Sequence, residues 1–128
     1  MISIKKFIPG IAWFFLVLTL LCLPGSEFPK KIDWLEKIYF DKWVHMGLFG
    51  ILAFLLMHPF TKTENDVQSK LNIILKIAIA VSIWGLATEF IQKYFAYHRS
   101  FDLWDWAADS LGALVAYLFW KKRIKATN

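Results

Sequence analysis

The stretch Ala87–Asp109, ATEFIQKYFAYHRSFDLWDWAAD, decides how this chain is read. It carries Glu89, Gln92, Lys93, His98, Arg99, Asp102, Asp105 and Asp109, and it lies where one apolar run ends and another begins. Helical spacing sorts these groups. At about 100° per residue, Ala78, Ser82, Gly85, Glu89 and Gln92 fall within about 80° of one face. Asp102, Asp105, Asp109, Gly112, Ala113 and Ala116 fall within about 100° of one face of the following helix. Each stripe is polar near the connection and built of small residues deeper in. Small residues let membrane helices approach closely, so both stripes are expected to face inward, carrying the carboxylates away from lipid.

Composition sets the solvent. The 128 residues are 58% hydrophobic and 18% aromatic, with mean hydropathy +0.47, too apolar for an ordinary soluble domain of this length. The expectation is one domain, residues 1–128: an all-α integral membrane four-helix bundle with spans near 7–23, 43–60, 71–95 and 102–120. The formal charge of +5 gathers at the chain ends, where membrane topology accounts for it, so no nucleic-acid partner is implied. The single cysteine, Cys22, excludes an internal disulfide.

Outward from the central stretch, the chain divides at its polar breaks. Lys5 and Lys6 precede the first apolar run, and no small-residue cleavage site follows it, which favours a retained helix over a removed signal. Pro24-Gly25 and Pro29 break the chain, and Asp33-Trp34-Leu35-Glu36 has the form of a capping box. That segment fits either a short helix in the headgroup layer or an ordinary structured loop. Asp41 is placed as the cap of the second span, one turn from His45 on the same face. His58-Pro59 closes that span, and residues 61–70 form the hydrophilic loop before the third.

Four spans place both termini on one side. With the loop 61–70, that side holds Lys5, Lys6, Lys62, Lys70, Lys76, Lys121, Lys122, Arg123 and Lys125. The opposite side holds Lys30, Lys31, Lys37, Lys42, Lys93 and Arg99. The excess favours cytoplasmic termini. In that orientation Asp41, Lys42 and His45, Glu89 and Gln92, and Asp102, Asp105 and Asp109 come from three segments to one depth, the outer leaflet.

Asp102 and Asp105 have a local explanation, since acids at a helix start accept free N–H groups and suit the dipole. Asp109 lies two turns in, and Glu89 sits near a helix C-terminus, where negative charge is disfavoured. Asp41, Glu89, Asp102, Asp105 and Asp109 outnumber Lys42, Lys93 and Arg99. The surplus requires protonated acids, a charged His45, a bound cation or access to water. His45 and its carboxylates offer ligands to a divalent ion, but with no metal-spaced pair of histidines or cysteines, neither metal nor cofactor is expected.

The ordered set Asp41-Lys42-x-x-His45, Glu89-x-x-Gln92 and Arg99-x-x-Asp102-x-x-Asp105, ending at Gly112, resembles the VanZ-like membrane proteins. The set spans residues 41–112. At the position of Asp109 that pattern often has asparagine, so the chain departs there. The resemblance implies a cell-envelope setting and an accessory role like that in glycopeptide resistance, without implying a reaction.

Three classes of function follow. A binding module would hold an anionic headgroup or envelope precursor, with Asp41, Lys42, His45, Glu89, Gln92, Arg99, Asp102, Asp105 and Asp109 around it and Arg99 and Lys42 as anion ligands. A small membrane enzyme would use His45, Glu89 or Asp109 as acid and base on a lipid-linked substrate. An ion- or proton-coupled transport subunit would use Glu89 and Asp109 and would require a homo-oligomer.

Overall fold

The computed structural model describes residues 2–22, 40–63, 65–95 and 102–127, and among them it contains helices and no strand. After a 3-10 turn, Ile4–Phe7, the helices are α1 (Ile8–Cys22), α2 (Phe40–Thr61), α3 (Val67–Phe95) and α4 (Leu103–Ala126). The candidate interfacial helix at 33–39 lies outside the described residues.

Three helical stretches, Ile4–Cys22, Lys42–Thr61 and Val67–Phe95, are long and apolar enough to cross a membrane. Helices suit that solvent because they satisfy every backbone group within the segment. The fourth helix has 24 residues, yet it is not among those apolar enough to cross. Asp105 and Asp109 near its start and Lys121, Lys122, Arg123 and Lys125 near its end lower its apolar character. The expected fourth span therefore rests on length and position in the bundle.

The ends of α3 and α4 have identifiable causes. Asp66 accepts from the Ser69 backbone N–H at 3.1 Å and from its hydroxyl at 2.6 Å. This cap starts α3 at Val67, earlier than the apolar run at Leu71. Asp102 is extended (φ −137°, ψ 108°) and caps α4, accepting the Trp104 N–H at 2.9 Å, as its position at the head of the run suggested.

Burial follows the two stripes. Ala78, Gly85, Glu89 and Gln92 of α3 are buried, with Ser82 half-buried. On α4, Asp109, Gly112, Ala113 and Ala116 are buried. The apolar interior joins these to Phe49, Leu52, Ala53 and Met57 of α2, with Val17 and Leu21 from α1. Ile79, Ile83, Val115 and Leu118 point outward, as lipid contact allows.

Helices α2 and α4 meet at glycine. A Cβ on Gly112 would strike the Met46 carbonyl and lie 2.8 Å from the Gly50 nitrogen. Only a residue without a side chain permits this approach, and it sets the register between the two helices that carry most of the polar groups. Indole N–H groups tie neighbouring helices together as well. Trp13 donates to the Leu48 carbonyl at 2.8 Å, Trp106 to Ser82 at 2.9 Å and Trp120 to Phe54 at 3.2 Å. Such bonds are worth most where no water competes.

Candidate functional site

The polar groups of α2, α3 and α4 meet where the start of α2, the end of α3 and the start of α4 come together. Lys42 stands at the rim. Its Nζ donates to Asp102 Oδ2 and to Asp105 Oδ1, both at 2.7 Å, short distances that suit charge-assisted bonds. All three side chains retain some exposure, from 14% for Asp105 to 34% for Asp102.

One helical turn along α2 from Lys42, His45 lies on the same face and is buried. Its Nδ1 is 2.9 Å from Asp109 Oδ1 and its Nε2 is 3.5 Å from Asp105 Oδ2. Both ring nitrogens therefore face carboxylates, and Asp105 links the rim to the floor by meeting Lys42 with one oxygen and His45 with the other. The ring stacks over Phe49, 6.4 Å between centroids, which fixes its plane.

Glu89 and Asp109 form the floor, each fully buried. Glu89 Oε2 accepts the backbone N–H of Asp102 at 3.1 Å, so the acid at the end of α3 helps hold the start of α4. The remaining oxygens, Glu89 Oε1 and Asp109 Oδ2, have no hydrogen-bond partner among the described residues. Buried polar atoms are normally satisfied, and an unmet carboxylate oxygen is costly. Gly85 makes room for Asp109, since a Cβ there would lie 2.9 Å from Oδ2.

The structure thus brings together Lys42, His45, Glu89, Asp102, Asp105 and Asp109. Gln92 shares the buried face of α3 but turns elsewhere, donating to the Leu21 carbonyl of α1 at 3.1 Å. Asp41 lies within α2, which is described from Phe40, and not at its cap; its side chain, like all of Arg99, lies outside the described residues. Among the described residues Asp105 pairs with Lys42. Lys93 lies over the Tyr94 ring at 5.4 Å in the last turn of α3.

Two supporting contacts escaped the sequence reading. Ser82 and Ser110 share a 2.7 Å hydrogen bond between α3 and α4, beside the Trp106 bond to Ser82. Ser82 belonged to the small-residue stripe, and the proximity of Ser110 to Asp109 was the available signal. Thr88 bonds back to the Gly85 carbonyl at 2.7 Å, satisfying its hydroxyl within its own helix.

Fold and site define an α-helical membrane-spanning bundle with a buried acid–histidine cluster near one end. A family model for VanZ/LLP1 matches residues 4–125, so the chain belongs to that family over nearly its whole length. No curated protein and no solved structure matches it.

Proposed function

We propose that this VanZ-family protein is an accessory membrane protein of the cell envelope that binds the anionic headgroup of a lipid or envelope precursor. One observation carries the reading: polar side chains from three helices converge near one end of an otherwise apolar bundle, with Lys42 at their rim. Anion recognition runs through Lys42 at the rim, with Arg99 as the second anion ligand expected from the sequence, while His45, Glu89 and Asp109 form the floor beneath. Both termini are cytoplasmic in this proposal, which puts the cluster at the outer leaflet of a bacterial inner membrane.

The competing classes meet specific obstacles. General acid–base work needs a ring nitrogen or carboxylate oxygen within reach of substrate; both nitrogens of His45 face Asp105 and Asp109, and the unmet oxygens of Glu89 and Asp109 belong to fully buried side chains. A transport path needs polar groups beyond the cluster. In that direction the buried faces present Phe49, Leu52, Ala78, Val81 and Ala113.

The test is binding by the purified protein in nanodiscs. Vesicle-derived phosphatidylglycerol should shift its melting temperature upward relative to phosphatidylcholine. Lys42→Gln combined with Arg99→Gln should remove the difference while leaving the helical circular dichroism intact. Equal shifts with the zwitterionic lipid would refute the proposal.

A further inference from the structure

We infer that His45, Glu89 and Asp109 form a site for one divalent first-row metal ion of the manganese, iron or zinc type. This goes beyond headgroup binding and does not depend on it. The three residues come from three helices, all are buried, and one ligand atom of each lies within 4.8 Å of the others. No spacing along the chain announces the set, which is why sequence reading led to the opposite expectation.

The second observation is the pair of unmet oxygens. Glu89 Oε1 and Asp109 Oδ2 belong to fully buried side chains and lack partners among the described residues. A proton on one acid supplies a single donor. A dication satisfies lone pairs of both acids at once and offsets their charge. Rim charges do not offset them, because Lys42 is engaged with Asp102 and Asp105.

Distances narrow the geometry. The His45 Nδ1 to Asp109 Oδ1 separation is 2.9 Å. Adjacent ligands at about 2.1 Å from an octahedral ion are about 3.0 Å apart, whereas tetrahedral ligands at that bond length are about 3.4 Å apart. The separation fits an octahedral edge, and because it is equally the length of a hydrogen bond, the ion would replace the proton that His45 and Asp109 share. Closing the wider spacing, up to 4.8 Å, requires the side chain of Glu89, the longer of the two acids, to turn. An imidazole nitrogen among the ligands disfavours calcium and magnesium, which take oxygen, and the absence of thiolate from the set disfavours cuprous copper.

The surroundings fit as well. A histidine that ligates a metal usually donates its other N–H to a carboxylate, which fixes the ring. With Nδ1 on the ion, His45 Nε2 faces Asp105 Oδ2 at 3.5 Å, and Lys42 anchors the other oxygen of that carboxylate at 2.7 Å. Asp105 is then a positioning residue and Lys42 holds it.

The experiment uses the full chain, tag-free, purified in detergent and stripped with chelator. Titration with Mn²⁺, Zn²⁺ and the spectroscopic probe Co²⁺ should give about one ion per chain by elemental analysis. Bound Co²⁺ should show the weak visible bands of an octahedral site. Glu89→Gln and Asp109→Asn should each weaken Mn²⁺ binding at least tenfold, while Asp66→Asn, at the opposite end of α3 where the carboxylate accepts from Ser69, should leave it within about twofold. Folded wild-type protein that takes up less than a tenth of an equivalent overturns the inference without recourse to any variant. Stoichiometric uptake that Glu89→Gln and Asp109→Asn leave unchanged overturns it equally, by putting the ion elsewhere. Neither result bears on lipid binding, which is measured separately.

Discussion

Replacing Gly112 by alanine tests whether helix packing sets the cluster's geometry. The new Cβ would lie 2.8 Å from the Gly50 nitrogen and collide with the Met46 carbonyl. Ordinary contact begins near 3.4 Å, so α4 must retreat from α2 by about 0.6 Å to clear the Gly50 nitrogen alone, and further to clear the Met46 carbonyl. Both neighbours are backbone, so no rotamer relieves the clash. The same shift stretches the 2.9 Å contact between His45 and Asp109 towards about 3.5 Å, the edge of hydrogen bonding. Overpacking costs about 1–3 kcal/mol. Loss of a hydrogen bond to a charged group adds about 1.5–3 kcal/mol, and the better helix propensity of alanine returns about 1 kcal/mol. The expected net loss is about 1.5–5 kcal/mol, read by denaturant titration in mixed micelles. Gly47, also on α2, is the control: nothing lies within 4 Å of its would-be Cβ, so Gly47→Ala should be neutral or slightly stabilising. Equal stability of Gly112→Ala and wild type would refute the packing argument, as would equal damage from the two substitutions.

Hydrogen bonds from the Ser69 hydroxyl and backbone N–H hold the Asp66 carboxyl below its ordinary range. Its stabilisation is therefore present above the unfolded pKa and lost as pH falls through the folded one; Asp66→Asn should flatten the acid side of the stability profile. Maleimide labelling of intact cells should modify a cysteine introduced at Glu27 and spare one at Asn65, and the reverse pattern would put the cluster on the cytoplasmic face. Trp106→Phe removes the indole bond to Ser82 and should cost about 0.5–1.5 kcal/mol in the same micelle assay. The combination His45→Leu, Glu89→Met and Asp109→Ala should keep the helical circular dichroism while losing manganese uptake, and loss of the fold would make the cluster structural.

Much of the bundle was legible because its signals are local. Stripes of small and polar residues on α3 and α4 announce their buried faces, since close helix approach in a membrane needs residues such as Gly85, Gly112 and Ala116. Asp102 reads as a cap from its place before an apolar run. What stayed hidden depends on register between helices. Lys42 meets Asp102 and Asp105 because Gly50 and Gly112 let α2 and α4 touch at one height, and no spacing along the chain encodes that height. Gln92 reaches α1 because Leu21 packs into the core there, an outcome of docking. The first turn of α3 was missed for a different reason. Val67, Gln68, Ser69 and Lys70 are mostly polar, so apolar periodicity passes over them, although Asp66 and Ser69 carry the cap.

The charges explain why the cluster points to function and not to stability alone. Among the described residues four carboxylates face one lysine and one histidine. A buried ionic network is weak support for a fold, and apolar residues of similar volume often serve as well or better. Here the network keeps two carboxylate oxygens unmet in the most buried part of the site. Cap geometry accounts for Asp102, and pairing with Lys42 accounts for Asp105. Neither reaches Asp109, where asparagine would give His45 an oxygen to bond without the added charge. The aspartate is worth its burial only if something positive meets it. His45 meets one oxygen; the other, beside Gly85, is where a ligand is to be sought.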